Sequence, residues 1–169
     1  MTTVVDLPVT PVRPEDAAAL IDLFHRSSES TRRERFHGTL RGFPPCYLDD
    51  IVHGRHAVVA RVVRDLAGDA SGGCIVALAS ASPETCCRAE LAAWVVDGWQ
   101  GKGIGTRVVR AVLEQLRTDG IATAVAYVEA ANHAASALAR RVAHDMGVTA
   151  TSGPVITFHL QPARGELTA

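Results

Sequence analysis

The residue types and spacing that best indicate chemistry lie in one short stretch, Gln100-Gly101-Lys102-Gly103-Ile104-Gly105-Thr106. Its alternating glycines allow the backbone to approach a ligand closely and to turn N–H groups toward it. A helix is predicted to begin at Thr106, and its first turn adds unpaired N–H donors and the positive end of the helix dipole. Such a loop binds anions, and phosphate is the expected ligand.

Two common phosphate-binding motifs do not match this loop. A Walker A loop needs Ser or Thr directly after its lysine, whereas Lys102 is followed by Gly103. A dinucleotide fingerprint fails because its last glycine would fall on Thr106 or Val108. The pattern Q/R-x-x-G-x-G/A between a strand and a helix does match. In this stretch the chain resembles the pyrophosphate loop of the GCN5-related N-acetyltransferases (GNAT family), which bind acetyl-CoA.

Two further segments carry the same resemblance. The strand ending near Val95 precedes the loop by the spacing typical of the family, and the run from Asn132 to Leu138 matches its N-x-x-A-x-x-L helix. The resemblance implies that acetyl-CoA is the co-substrate and that the fourth strand binds its pantetheine arm. The implied cofactor contacts are Ala93, Trp94, Val95, Gln100, Gly101, Lys102, Gly103, Ile104, Gly105, Thr106, Asn132 and Ala135.

The implied reaction is direct attack of an amine on the thioester, which needs a base because amines are protonated at neutral pH. Glu90 stands ten residues before Gln100, as a glutamate does in bacterial protein lysine acetyltransferases of this family. The resemblance makes Glu90 the expected general base, with Glu129 as the second candidate. The backbone N–H of Val95 is the expected donor to the oxyanion.

One position departs from the family pattern. Many members place a tyrosine directly after the motif's leucine to protonate the departing thiolate, and this chain has Ala139 there. A thiol with an ordinary pKa of about 8.5 can leave unassisted, so catalysis remains the expectation. The departure also supports a second hypothesis, in which the chain is a non-catalytic acyl-CoA-binding sensor or interaction domain.

The segment from Ser28 to Phe36 fits S-x-x-[ST]-R-x-x-R-F and resembles a segment of the single-domain catalytic part of bacterial protein lysine acetyltransferases. This resemblance implies a protein lysine side chain or a small primary amine as acceptor. Its arginines could bind carboxylates of a substrate, or they could form a solvated helix face with Glu29 and Glu34. Acceptor-contacting loops are expected at 37–47 and 147–154.

Periodicity and turn residues predict a mixture of strands and helices. Strands are expected at 4–12, 57–63, 75–80, 90–96, 124–128 and 155–160, with turns at 65–73 and 83–86. Helices are expected from Ala17, capped by Asp16, at 28–36, at 106–118, and from Asn132 to about Ala143. This order predicts an α+β fold. The GNAT resemblance specifies a mixed, mostly antiparallel sheet of six to seven strands with helices on both faces and a splay between strands 4 and 5 that holds acetyl-CoA.

Length and composition limit the remaining possibilities. The chain has 169 residues, a formal net charge of −1 and 47% apolar residues. These values predict one folded domain over 1–169, with its core at about 4–160 and a tail at 161–169. The balanced charge gives no reason to expect a nucleic-acid partner. Nothing in the sequence distinguishes a monomer from a homodimer.

The cysteines and histidines indicate neither a disulfide framework nor a metal site. None of the four cysteines forms a C-x-x-C pair, and the seven histidines are scattered. No apolar run is long enough to span a membrane, and no secretory signal is visible. A cytoplasmic protein with reduced thiols and without a membrane partner is therefore expected.

Overall fold

A mixed β-sheet forms the centre of the protein in a computed structural model, which describes residues 7–67, 73–143, 148–151 and 155–160. Seven strands lie in the order β1-β2-β3-β4-β5-β7-β6. Their bounds are β1 Val9–Pro11, β2 Val59–Asp65, β3 Cys74–Thr85, β4 Arg88–Val95, β5 Thr123–Glu129, β6 Val148–Thr151 and β7 Val155–Leu160. The predicted mixed sheet of six to seven strands is confirmed.

Five α-helices accompany the sheet within the described residues. They are α1 Ala17–Arg26, α2 Glu29–Phe36, α3 Pro45–His53, α4 Ile104–Thr118 and α5 His133–Ala143. Buried side chains recur along α4 at spacings of three and four, which is why this helix is the most easily recognised in the sequence. At its carboxyl end the chain leaves the helix through Gly120, at φ 78°.

The separation of β4 from β5 is the feature of the sheet that creates a cleft. All strand pairs are antiparallel except β4 with β5, which run parallel. Their pairing covers only Arg88–Glu90 against Thr123–Val125, although both strands continue beyond it. The two strands therefore diverge after Glu90, and the predicted splay between strands 4 and 5 is confirmed.

Helices pack on both faces of the sheet, as predicted. On one face, α4 buries Val108, Val112 and Leu116 together with Val76 and Leu91 of the sheet. The other face is covered by α1 and α3 around a second cluster, whose largest members are Leu20, Leu23, Phe24, Phe43, Leu78 and Trp94. The two clusters therefore bury β4 from opposite sides, through Leu91 on one face and Trp94 on the other.

Several predicted boundaries are wrong for identifiable reasons. Asp16 does not cap α1 with its side chain; its buried carboxylate accepts from Arg13 N–H and pairs with Arg64 at 2.6 Å. The third strand continues through the predicted turn, because an irregularity between Pro83 and Thr85 accommodates the proline. The acceptor loop expected at 37–47 ends within α3, which begins at Pro45.

The predicted loop near the carboxyl terminus is also partly wrong. A loop was expected over 147–154, but residues 148–151 form β6, which pairs with β7. Positions 4–6 of the first predicted strand, most of the 65–73 turn, positions 147 and 152–154, and the 161–169 tail lie outside the described residues. The final strand has its predicted bounds.

Candidate active site

The space between the diverging strands is a cleft of about 380 Å³. Its walls are β4 and β5, the loop before α4, one face of α5 and the carboxyl-terminal half of α2. Every predicted cofactor or catalytic residue except Lys102 lines it: Glu90, Ala93, Trp94, Val95, Gln100, Gly101, Gly103, Ile104, Gly105, Thr106, Asn132 and Ala135. The structure thus brings together residues that the sequence separates by up to 45 positions.

The glycine loop has the backbone geometry of an anion site. Gly101 and Gly103 lie at φ 71° and 81°, a region that residues with a Cβ rarely adopt. A Cβ on Gly103 would meet nothing within 4 Å, so the space beside it is open. Gly103 is the N-cap of α4, and among the described residues no side chain caps the first turn. The N–H groups of this first turn can therefore donate hydrogen bonds to a pyrophosphate.

Gly105 is required for a different reason. A Cβ at this position would lie 3.2 Å from Leu138 Cδ2 and 3.5 Å from Val95 Cγ2. The missing side chain therefore lets α4 approach both α5 and the end of β4. This close packing brings the phosphate loop next to the cleft wall formed by α5.

Lys102 lies at the edge of the loop rather than in the cleft lining. Its ammonium donates to Gly98 O at 2.8 Å and lies 4.7 Å from the centre of the Trp99 ring. Both contacts are exposed, so the side chain can turn toward a phosphate at small cost. Phosphate binding by Lys102 stays a prediction.

Gln100, the first residue of the loop motif, bonds through its side chain to the end of β4 and to α2. Its Nε2 donates to Val95 O at 3.0 Å and to Thr31 Oγ1 at 3.2 Å. Thr31 Oγ1 in turn donates to Asp97 Oδ1 at 2.8 Å. The sequence analysis singled out Ser28 and Thr31 only as parts of a motif and did not include Asp97.

Asp97 is held by the amino-terminal end of α2. Its carboxylate accepts hydrogen bonds from Ser28 N at 2.9 Å, Ser28 Oγ at 2.6 Å and Thr31 Oγ1. Partial burial opposes ionisation, but the hydrogen bonds from Ser28 and Thr31 outweigh it and hold the pKa of Asp97 below its ordinary value. The carboxylate therefore stays charged at neutral pH and links the loop to α2.

One side of the β4 backbone faces the cleft instead of β3, and on that side Val95 O accepts from Gln100 Nε2. Val96 N donates to Val76 O, and the strand register places Val95 opposite Ala77. Since backbone groups alternate in direction along an antiparallel strand, those of Trp94 face β3, while those of Ala93 and Val95 face the splay. The geometry therefore does not favour the expected contact between the Trp94 backbone and the pantetheine arm of acetyl-CoA. Its indole is buried and donates to Ser27 Oγ at 2.9 Å.

Glu90 lies where the two strands part. It is the last β4 residue paired with β5, opposite Val125, and its side chain is exposed to the cleft. Among the described residues it has no ion pair or hydrogen bond through its carboxylate. Arg88, two positions away, pairs with Glu84 instead, and this contact raises the pKa of Arg88. Glu90 is thus available to a ligand.

The arginines of the Ser28–Phe36 segment are not all solvated. The Arg35 guanidinium lies 4.8 Å from the Phe36 ring centre and 5.1 Å from that of Tyr47, and it donates to Tyr47 Oη at 2.7 Å. Tyr47 Oη lies 2.8 Å from the buried Ser80 Oγ. Arg35 is therefore held in one place at the cleft wall by Tyr47 and Phe36.

The wall of the cleft formed by β5 and α5 is mainly apolar. Ala135 N donates to Asn132 Oδ1 at 2.8 Å, so Asn132 caps α5 as predicted. Ala139 packs with Val128 in a small buried cluster. Tyr127 also lines the cleft, but its hydroxyl is engaged by Arg88 at 3.3 Å and Glu84 at 3.4 Å.

The described residues offer neither a cluster of metal ligands nor a helix that could span a membrane. No group of three or more His, Cys, Asp or Glu side chains there could hold a metal ion. Within the same ranges, no helix is both long enough and apolar enough to cross a membrane. All four cysteines are free and exposed, with Cys86 and Cys87 adjacent at the β3–β4 turn.

Sequence comparison decides the family. The sequence profile described as the acetyltransferase (GNAT) family matches residues 19–144, which is well over half of the chain. The chain belongs to the GNAT family. As a GNAT protein it is an acetyltransferase that uses acetyl-CoA as its co-substrate. A comparison with curated proteins finds no significant match.

Solved structures agree on the GNAT fold. The GNAT domain of S. lividans PAT superposes with a TM-score of 0.79 at 20% identity, covering 92% of this chain and 90% of that one. The protein yncA from Salmonella typhimurium, solved with its cofactor acetyl-CoA, gives 0.68 at 19% identity and covers 97% and 98%. An N-acetyltransferase from Staphylococcus aureus Mu50 gives 0.66 at 15% identity, covering 94% and 99%. At these identities the likeness concerns the fold.

The residues of this GNAT chain fit acetyl-CoA. The uncapped first turn of α4 and the open space beside Gly103 suit a pyrophosphate, and the outward backbone of Ala93 and Val95 suits an extended amide-bearing arm. The apolar surface around Ala135 and Ala139 suits the thioester end. Ala139 leaves the position of the family's usual general acid without a hydroxyl.

Proposed function

We propose that this protein transfers the acetyl group of acetyl-CoA to a primary amine, by direct attack, with Glu90 as the general base. The observation that carries the proposal is the place of Glu90 at the vertex of the splay, beside a β4 edge where the backbone groups of Ala93 and the N–H of Val95 face the cleft. The acceptor class is a protein lysine side chain or a small amine. The resemblance of the Ser28–Phe36 segment to bacterial protein lysine acetyltransferases supports this choice.

The chemistry needs one proton acceptor and one oxyanion donor. Glu90 takes a proton from the ammonium group, directly or through a water, and the neutral nitrogen attacks the thioester carbon. The C–N bond forms while the carbonyl oxygen becomes an oxyanion that accepts from Val95 N–H. The C–S bond then breaks, and the thiolate leaves with the electron pair and takes up the second nitrogen proton or one from solvent.

The charges around the acceptor end are compatible with a cation. Glu34, Glu90 and Glu129 line this part of the cleft, where an ammonium group would approach. Arg35 and His37 line it as well. Glu90 lies on the same face of β4 as Trp94, because alternate residues share a face, and this is the face that α2 covers.

The absence of a hydroxyl at Ala139 favours one alternative function, in which the cleft binds acyl-CoA without transferring the acyl group. Catalysis without this acid is feasible, because a thiol is a much better leaving group than an alkoxide at neutral pH. The two proposed functions differ in whether the protein turns over acetyl-CoA with an amine. Both predict acetyl-CoA binding, and only the first predicts loss of turnover when the base is removed.

The test compares the wild type with Glu90→Gln and with Glu114→Gln as a matched control. Glu114 is an exposed α4 residue paired with Arg117, outside the cleft. Acetyl transfer to a panel of lysine peptides and small amines is followed by mass spectrometry, and acetyl-CoA binding by calorimetry. Glu90→Gln should lower kcat/KM at least about tenfold with a nearly unchanged Kd, and Glu114→Gln should change neither. A wild type that binds acetyl-CoA but acetylates no amine would favour the binding domain.

A further inference from the structure

A continuous chain of hydrogen bonds joins the amino-terminal end of α2 to the last residue of β4. Asp97 accepts from Thr31 Oγ1 at 2.8 Å, Thr31 Oγ1 accepts from Gln100 Nε2 at 3.2 Å, and Gln100 Nε2 donates to Val95 O at 3.0 Å. The chain ends on the residue whose N–H faces the splay. Asp97 itself does not line the cleft.

The donors and acceptors along this chain are matched. An amide side chain has two N–H donors, and both of those on Gln100 have acceptors, Thr31 Oγ1 and Val95 O. A hydroxyl has one donor, and Thr31 gives it to the Asp97 carboxylate. Thr31 is 8% exposed, so water cannot readily replace a lost partner there. Each residue therefore fixes the orientation of the next.

The other contacts of Asp97 add to this constraint. Ser28 gives it a backbone and a hydroxyl hydrogen bond and also accepts from Thr31 N at 3.2 Å as the N-cap of α2. The loop after β4 is thus anchored to a helix whose other end carries Arg35 and His37 into the cleft. Helix α2 therefore holds both the loop after β4 and the acceptor side of the cleft.

We propose that Thr31 and Asp97 are positioning residues, which act through Gln100 to fix the end of β4 and the glycine loop that follows it. The inference rests on the proposed function, since it assumes that Val95 and the loop contact acetyl-CoA. It assigns to the Ser28–Phe36 segment a role in shaping the cofactor site, separate from any contact with the acceptor.

Thr31 offers a matched pair of variants. Thr31→Val removes the hydroxyl at nearly constant volume, whereas Thr31→Ser keeps it and removes a methyl group. Coenzyme A is the binding probe, measured by calorimetry, because it needs no acceptor. Hydrogen exchange is measured at the amides of 98–106 and at those of 110–118, in the distant part of helix α4. Comparing the two ranges reports whether the change is local.

Thr31→Val should weaken coenzyme A binding about five- to tenfold and speed exchange at 98–106 by a similar factor, with little change at 110–118. Thr31→Ser should stay within about twofold of wild type on both measures. Asp97→Asn, at an exposed position in the 3-10 turn Asp97–Trp99, provides a second variant if Thr31→Val does not fold. It should affect the same amides in the same direction.

Three outcomes would overturn the inference, and they are distinguishable. Equal affinity and equal local exchange in wild type and Thr31→Val would remove the positioning role while leaving the proposed function intact. Uniformly faster exchange along the chain, with Thr31→Ser as damaging as Thr31→Val, would indicate a packing role only. A folded wild type that does not bind coenzyme A would overturn the proposed function and the inference with it.

Discussion

His37 Nδ1 lies 3.4 Å from Glu129 Oε1, and this contact joins the end of α2 to the end of β5 across the cleft. His37 is the C-cap of α2 and has the left-handed conformation, at φ 51°. The two side chains are 44% and 35% exposed. Because Glu129 has this partner and Glu90 has none among the described residues, the two candidate bases differ in their surroundings.

Glu129→Gln is therefore expected to have a much smaller effect on acetyl transfer than Glu90→Gln. The amide can still hydrogen-bond to His37, and exposed ion pairs contribute at most about 1 kcal/mol to the free energy of unfolding. We expect kcat/KM to fall less than about threefold, against at least about tenfold for Glu90→Gln. Steady-state kinetics on one acceptor check this. If Glu129→Gln were the more damaging variant, Glu129 would be the base.

Gly103→Ala is expected to reduce acetyl-CoA affinity at least about tenfold, because its Cβ would enter the space where the pyrophosphate binds. Gly120→Ala is a closely matched control. Both glycines have positive φ, 81° and 78°, and neither would place its Cβ within 4 Å of another group. Each substitution should cost about 1 kcal/mol of folding free energy through backbone strain.

Calorimetry and chemical denaturation separate these two effects. Gly120 lies at the far end of α4, so Gly120→Ala should lose stability and keep its affinity. Equal affinity in the two variants would show that the pyrophosphate lies elsewhere.

Trp94→Phe is expected to reduce stability while sparing the cofactor. The indole packs against Phe24, Phe36 and Phe43 and donates to Ser27 Oγ, so its replacement should cost about 1–3 kcal/mol of unfolding free energy. Since the Trp94 backbone faces β3, the Kd for acetyl-CoA should change less than about twofold. Denaturant unfolding and calorimetry measure the two quantities. A large loss of affinity without a loss of stability would mean that Trp94 contacts the cofactor.

Sequence patterns predicted which residues line the cleft better than they predicted the contacts that hold those residues in place. The glycine loop and α4 are recognisable because helical periodicity and glycine spacing are local properties. Asn132 was recognised for the same reason, since its cap acts within one turn.

Contacts between distant segments leave no such local pattern. The backbone direction at Trp94 depends on its pairing with Leu78, and Asp97 is engaged by Ser28, which is 69 positions away. A shift of the β3–β4 register by one residue would place the Trp94 side chain on the opposite face of the sheet. Helix α3 was missed because its first turn contains Pro45 and follows a loop rich in glycine and proline, which reads as irregular structure.

Asp97 also predicts how stability depends on pH. Its hydrogen bonds lower the pKa of the folded carboxyl below the ordinary value of 3.8, so the ionised form is favoured by folding. The resulting stabilisation is fully present above the unfolded pKa and is lost as pH falls through the lower, folded pKa. The difference in unfolding free energy between wild type and Asp97→Asn should therefore be constant from neutral pH down to about 5 and shrink below that.

Urea unfolding of both proteins between pH 3 and pH 7 would measure this difference. Thr31→Ser keeps a hydroxyl that can donate to the carboxylate, so it should follow the wild-type dependence, while Thr31→Val should show a weaker one. A difference between wild type and Asp97→Asn that stays constant at acidic pH would contradict the lowered pKa. Such a result would also remove the carboxylate as the anchor between α2 and the glycine loop, because a neutral Asp97 would then bind Ser28 equally well.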